Sequence, residues 1–233
     1  MIARCDLHIH SALSPCADDD MTPANIVGYA KLGGLDIVAV ADHNAIGNVA
    51  TAIAVGKAYG VCVVPAMELQ TAEDIHVLCL FDSLEHLQDF FEQIDFPDIP
   101  NRKEIFGNQL IVDEDDNVVG EEPRLLHVGA NIAVEDVPSL AEKCGGVAVA
   151  AHVDREENGM AAVLGEVTSD YFAVELSSHA TDMHRQMYAD KIVINDSDAH
   201  WLDRIGHGAG TMELTEFTPS AVVAFLRGDK GVL

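Results

Sequence analysis

Histidines and carboxylates recur where short apolar runs of this chain end: Asp6-Leu7-His8-Ile9-His10, Asp42-His43, Glu68, His76, His152 and Asp198-Ala199-His200. Side-chain direction repeats every two residues in extended backbone. His8 and His10 therefore face one way and can grip one ion, and Asp198 with His200 can do the same. Mixed nitrogen and oxygen donors suit Zn, Mn or Fe better than Ca or Mg. Glu68 has two oxygens and can bridge two ions. Asp6 and Asp42, beside ligand histidines, suit acceptors that fix ring tautomers, although Asp42 could equally shape a turn. Each element alone is weak, since a lone His-x-His or Asp-His pair is ordinary surface sequence. The ordered set points to one multinuclear site holding two or three divalent cations. Cys16 lies near it, but the neighbouring carboxylates match hard ions better.

Strands and helices must carry these residues. Residues 2–8 read as a strand and 11–21 as a polar loop. Thr22-Pro23 supplies an N-cap followed by proline at the first helical position, and the helix it opens stops at Gly33-Gly34. Residues 36–41, 61–67 and 75–81 are apolar runs of the kind buried on both faces. Helices are expected over 50–59 and over 83–94, the latter capped by Ser83. After residue 136 the alternation resumes, with strands at 146–151, 171–176 and 191–195 and helices at 137–144, 159–167 and 182–189. Thr218-Pro219 opens a last helix. Repeated βα units imply a parallel sheet or barrel with its ligands at the strand C-terminal ends. Residues 95–136 break the rhythm with Pro97, Pro100, Pro123 and the run Asp113-Glu114-Asp115-Asp116. They read as an inserted lobe over the mouth of the site, with a small hairpin at 110–112 and 118–119.

The whole chain of 233 residues suits one α/β domain, and 48% hydrophobic residues allow a sizeable core. No apolar run is long enough for a membrane helix, and the N-terminus lacks the apolar stretch of a secretory signal, so a cytoplasmic address is expected. Five cysteines, an odd number without a CxxC pair, fit reduced thiols. The formal net charge is −26, from 13 basic and 39 acidic residues. Such a field repels a nucleic-acid backbone at long range, so a general nucleic-acid partner is disfavoured, while bound cations could reverse the sign locally. The sequence leaves the oligomeric state open.

Asp6-Leu7-His8-Ile9-His10-Ser11, Thr22-Pro23, Ala41-Asp42-His43-Asn44, Glu68, His76, His152 and Ser197-Asp198-Ala199-His200 together resemble the PHP family, the polymerase and histidinol phosphatase phosphoesterases. The resemblance covers nearly the whole chain except 95–136. It implies a distorted (β/α)7 barrel with that stretch as a small inserted lobe, and three ions. His8, His10, Glu68 and Asp198 would hold the first, Asp18, His43 and His200 the second, and Glu68, His76 and His152 the third. Asp19 and Asp20 compete with Asp18 for the loop position. Arg155, three residues after His152, matches a phosphate-clamping group, a role that guanidinium geometry suits. His152-Val153 departs from the family's usual His-Pro.

The implied activity is hydrolysis of a small phosphorylated metabolite, a nucleotide or histidinol-phosphate type of monoester. A hydroxide shared by two cations would be the nucleophile. His179 and His207 are candidates to protonate the leaving group, and Glu175 could support His152. His86, His127 and His184 have no motif around them and read as structural or surface residues. A phosphodiesterase on the same site, a metal-binding regulatory domain without turnover, and an amidohydrolase are the alternatives. The complete ligand set disfavours the second, and the Ser-Asp-Ala-His ending disfavours the third.

Overall fold

The computed structural model describes residues 1–229. The chain runs through β1 (Ile2–Ile9), α1 (Pro23–Leu32), β2 (Ile37–Val40), α2 (Val49–Tyr59), β3 (Cys62–Gln70), β4 (His76–Phe81) and α3 (Leu84–Phe91). Then come α4 (Lys103–Phe106), β5 (Leu110–Val112), β6 (Val118–Glu121), α5 (Val137–Lys143) and β7 (Gly146–Ala150). It ends with α6 (Met160–Leu164), β8 (Ala173–Leu176), α7 (Asp182–Met187), β9 (Ile192–Asn195), β10 (Gly210–Glu213) and α8 (Pro219–Leu226). Three of the helices start where their caps require. The Thr22, Ser83 and Thr218 hydroxyls accept the amides of Asn25, His86 and Ala221.

The main sheet has the order β10-β1-β2-β3-β4-β7-β8-β9. Its two edges meet where Gly210 lies against the Asn195 backbone, so the sheet is an almost closed barrel. The expected α/β barrel is present, with two departures from strict βα alternation. β4 runs antiparallel to both β3 and β7, because only residues 71–75 separate β3 from β4 and a parallel crossover needs a dozen or more. β10, which carries no clear sequence pattern, adds antiparallel to β1.

One apolar cluster draws on all eight strands, with Cys5, Leu7, Ala39, Ala66, Leu78, Val149, Ala173, Ile194 and Met212 among its members, and α8 closes it. This is the barrel interior. Two further clusters pack α1 with α2, and α3 with α5, against the outside. Two residues along each strand from the interior layer, on the same face, stand Glu68 after Ala66, His76 before Leu78, Glu175 after Ala173 and Asp196 after Ile194. The site is therefore the polar layer above an apolar plug.

β1 would break this rule without an irregularity. Leu7 belongs to the interior cluster, yet Ile9 joins the outer one. The β1–β2 register shifts between Asp6 and Ile9, and an extra residue there turns the later side chains over, so His8 and His10 follow Leu7 inward.

Residues 95–136 hold α4 and the β5–β6 hairpin, and barrel side chains staple them down. Asn48 donates to the Leu110 carbonyl at 3.0 Å and accepts the Val112 amide at 3.0 Å. Asn44 donates to the carbonyls of Leu126 and Val128, both at 2.9 Å. Within the segment, Gln109 bonds the carbonyls of Glu122 and Arg124 and the Leu126 amide.

Candidate metal centre

Glu68, only 1% exposed, is the meeting point of five imidazoles. Its Oε1 lies 2.9 Å from His76 Nδ1, 3.1 Å from His152 Nε2 and 3.3 Å from His8 Nε2. Its Oε2 lies 2.9 Å from His43 Nδ1 and 3.4 Å from His10 Nε2. Asp198 closes the group, with Oδ1 3.0 Å from His10 Nε2 and 3.6 Å from His8 Nε2. The donor atoms of His8, His10 and Asp198 lie within 4.8 Å of one another, as do those of His10, His43 and His200, and those of His43, Glu68 and His76. A cleft of about 120 Å³ opens onto them, lined also by Arg155, Glu157 and Asn158.

Buried partners fix the ring orientations. Ser14 donates its one hydroxyl proton to Asp42 Oδ1 at 2.7 Å. It must then accept from His10 Nδ1 at 3.0 Å, which leaves the His10 Nε2 lone pair facing the cluster. Asp42 also accepts the Ser11 amide and hydroxyl. Glu175 Oε2 lies 2.8 Å from His8 Nδ1 and aims the His8 Nε2 lone pair inward in the same way. His200 donates from Nδ1 to the Asp198 carbonyl at 2.8 Å. Asp6 accepts the Ser197 and Gly206 amides and Asp196 the Leu7 amide, which ties β1 to the loop that carries Asp198 and His200. His152 and Asp198 have positive φ, 28° and 47°, strained for residues with a Cβ. The strain sits at two donors, as is common where geometry serves a site.

Burial opposes charge on Glu68, but His76, His8 and His43 overcome it and hold the carboxyl well below its usual range. Burial likewise opposes charge on Asp198, and His8 and His10 keep it ionised. Burial, with His200 and His43, drives His10 well below the usual imidazole value. His8 is held well above it, because Glu175, Glu68 and Asp198 outweigh burial.

Divalent cations fit this arrangement. His8 Nε2, His43 Nδ1 and Glu68 Oε2 are buried without a hydrogen-bond partner, a costly state for polar atoms unless something binds them. A neutral imidazole lone pair about 3 Å from a carboxylate oxygen is repulsive without a proton or cation between them. Glu68 and Asp198 stand ionised among the rings, while burial raises the carboxyl pKa values of Asp6, Asp42 and Asp196 further out, so the two central carboxylates call for positive charge.

The structure thus brings together His8, His10, His43, Glu68, His76, His152, Asp198 and His200. Arg155 stands beside them, half-exposed, with Nη1 2.5 Å from Asp198 Oδ2. Asp18 is not among the clustered donors. It is exposed, and its carboxylate accepts the Asp20 amide at 2.9 Å. His179 and His207 are exposed and do not line the cleft. Two contributors, Ser14 and His127, went unread in the sequence, and a third, Glu175, was expected beside His152. Ser14 lies in a loop whose spacing carries no ligand signal. Glu175 supports chiefly His8, its oxygen being 3.4 Å from the His152 amide. His127, from the inserted segment, sets its ring edge-on to His43 with centroids 4.3 Å apart.

Searches against protein-family models and against curated proteins give no match to this chain. Solved structures do match. An Endonuclease Q complex, with a 27-mer duplex substrate bearing an abasic lesion at the active site, superposes with a TM-score of 0.69 at 20% identity over 99% of this chain. A protein from Bifidobacterium adolescentis, assigned provisionally as a metal-dependent phosphoesterase, gives 0.61 at 18% identity over 95% of both chains. A two-domain protein from Bacteroides vulgatus, containing a predicted PHP-like metal-dependent phosphoesterase, gives 0.57 at 14% identity over 98% of this chain and 62% of its own. The chain has the barrel fold of the PHP-like metal-dependent phosphoesterases. At these identities the likeness is one of fold, and the chain spans 58% of the Endonuclease Q chain.

One expectation is overturned. A small phosphorylated substrate, with nucleic acid disfavoured by net charge, does not stand beside a neighbour of this fold solved on duplex DNA. Net charge describes the distant field, whereas phosphate binding is decided where cations sit. Among the described residues, no helix is long and apolar enough to cross a membrane.

Proposed function

We propose that this chain is a metal-dependent hydrolase acting on a phosphodiester of a nucleic acid. The observation that carries the hydrolytic reading is Glu68 ringed by five imidazoles, with Asp198 opposite and Arg155 at the edge. Phosphoesterases and an endonuclease among the structural neighbours support it. The substrate class rests on the Endonuclease Q likeness and on Trp201, a 55% exposed indole 6.0 Å from the His200 ring, placed where a base could stack.

His8, His10, Glu68 and Asp198 would hold one cation, His43 and His200 with a loop donor a second, and Glu68, His76 and His152 a third. Bound there, the cations would supply Lewis-acid polarisation of phosphoryl oxygens and a lowered pKa for water. The chain's own residues do the positioning. Ser14 and Glu175 keep the His10 and His8 lone pairs inward, and Glu68 stays ionised. Arg155 is free to exchange Asp198 for two oxygens of a phosphate, which the planar guanidinium can bind as a fork. His179 and His207 remain candidates to protonate the leaving oxygen, and the pH–rate profile of each alanine variant tests that role. Zn, Mn and Fe are the candidate ions, and the reduced cysteines fit a cytoplasmic setting.

The test is the metal-loaded protein assayed on labelled single-stranded and duplex oligonucleotides, with and without an abasic site, beside an aryl monophosphate and a bis-aryl phosphate. Diester cleavage that a chelator abolishes is expected. Full metal loading without cleavage of any ester would establish a binding domain instead. Hydrolysis confined to the monoester would refute the substrate class.

A further inference from the structure

We propose that Cys16, His43 and His127 form a sulfur-containing cation position at the outer side of the cluster, selective for Zn²⁺, Fe²⁺ or Co²⁺ over Mg²⁺ and Mn²⁺. One donor atom of each lies within 4.8 Å of the other two. His43, 5% exposed, is the buried member of the trio, and its Nδ1, 2.9 Å from Glu68 Oε2, makes no hydrogen bond. Cys16 is a free, partly buried thiol, and among the described residues the one cysteine that shares a donor group with histidines.

Two features argue that the arrangement is built. His127 is bracketed on both sides by Asn44, whose amide donates to the carbonyls of Leu126 and Val128. Asn44 is next to His43 in the chain and adopts a positive φ of 47°. The same residue therefore sets the strand end that aims His43 and the loop that presents His127. On the other side, Asp18 spends its carboxylate on the Asp20 amide, so the loop after β1 offers the cluster a thiol where a carboxylate was expected.

Sulfur and imidazole donors fix the ion class. Thiolate with two imidazoles suits Zn²⁺ or a similar borderline ion, while the hard ions favour oxygen. Binding displaces the thiol proton to the solvent, since the thiolate is the ligand. His43 also reaches His10 and His200, so the ion held here draws on an imidazole of the inner cluster. The inserted segment thereby becomes part of the metal centre. The site does not depend on the reaction the protein catalyses.

Cobalt titration of the reduced, metal-free protein tests this. A thiolate-to-cobalt charge-transfer band in the near ultraviolet is expected. Cys16→Ser should abolish it while leaving the visible cobalt bands of the oxygen and nitrogen sites, and Cys62→Ser should leave it intact. His127→Ala should weaken the affinity read from that band at least about tenfold. As a second measurement on the wild type, saturating Zn²⁺ should protect Cys16 from iodoacetamide, mapped by mass spectrometry, and Mg²⁺ should not. Cobalt bound without a thiolate band, a band unchanged in Cys16→Ser, or Cys16 alkylated equally with and without Zn²⁺ would overturn the site. Unchanged cobalt affinity in His127→Ala would remove the inserted segment from it.

Discussion

Ser14→Ala isolates the support of one ligand from the ligand itself. The hydroxyl donates to Asp42 at 2.7 Å, accepts His10 Nδ1 at 3.0 Å and accepts the His43 amide at 3.2 Å. Alanine leaves almost no void, and Asp42 keeps both of its bonds from Ser11. The damage falls on His10, whose Nδ1–H is left buried and unsatisfied at about 1–3 kcal/mol, and to a lesser degree on the His43 amide, whose bond to Ser14 is the longer one at 3.2 Å. The His10 ring then gains by turning over or taking the other tautomer, either of which removes the Nε2 lone pair from the cluster. Losing a support of this kind costs about 10–100-fold in metal affinity, or about 1.4–2.8 kcal/mol, which agrees with the hydrogen-bond figure. Zinc affinity, measured by competition with a chromophoric chelator at fixed pH, should fall within that range. Urea unfolding of the metal-free protein should show a loss of up to about 3 kcal/mol. A variant that binds zinc within about twofold of wild type would refute the relay from Asp42 through Ser14 to His10.

His10→Ala should lose at least one equivalent of tightly bound metal and most hydrolysis, since Nε2 faces both Glu68 and Asp198. Elemental analysis beside steady-state kinetics checks it, and full metal content with full activity would refute it. Arg155→Ala should chiefly raise KM, as expected when a phosphate contact present in both ground and transition states is removed. An unchanged KM would sink the clamp. Asn44→Ala removes two donated bonds, the bond accepted from the Gln70 amide and a side chain suited to positive φ. Together these should cost about 3 kcal/mol, read by thermal unfolding. Limited proteolysis should then cut within residues 95–136 faster than in wild type, and equal resistance would refute the staple.

The sequence exposes what local chemistry dictates. Thr22-Pro23, Ser83 and Thr218-Pro219 can be read as helix starts because a cap is a property of three or four adjacent residues. The two-residue period of the strands makes Glu68 legible as an inward position and puts His8 and His10 on one face, but which face they take is decided by the β1 irregularity between Asp6 and Ile9. The direction of β4 is less legible. Its residues read as a strand in either sense, and only the short 71–75 connection argues for reversal. β10 has four residues and one buried side chain, too little for a pattern. Ser14, Glu175 and His127 act through partners 28, 167 and 84 residues away in the chain, and no spacing rule reaches that far. Asp18 and Cys16 share one loop, and which of them turns inward is decided by backbone turns that residue type does not reveal. The expectation against nucleic acid failed for another reason, since composition sums charge over the surface and a cleft reports only its own walls.

The reversal of β4 bears on how the centre comes to exist. β3 and β4 pair from Ala66–Leu80 to Gln70–His76 across a five-residue link, 71–75. Short closures cost little entropy and local pairings form early. Glu68 and His76, contributed by β3 and β4, would therefore meet in a refolding chain while His8, His152 and Asp198 are still distant. An ion caught by that hairpin would act as a seed around which later strands assemble, so zinc added at the start of refolding should hasten barrel formation more than zinc added at the end.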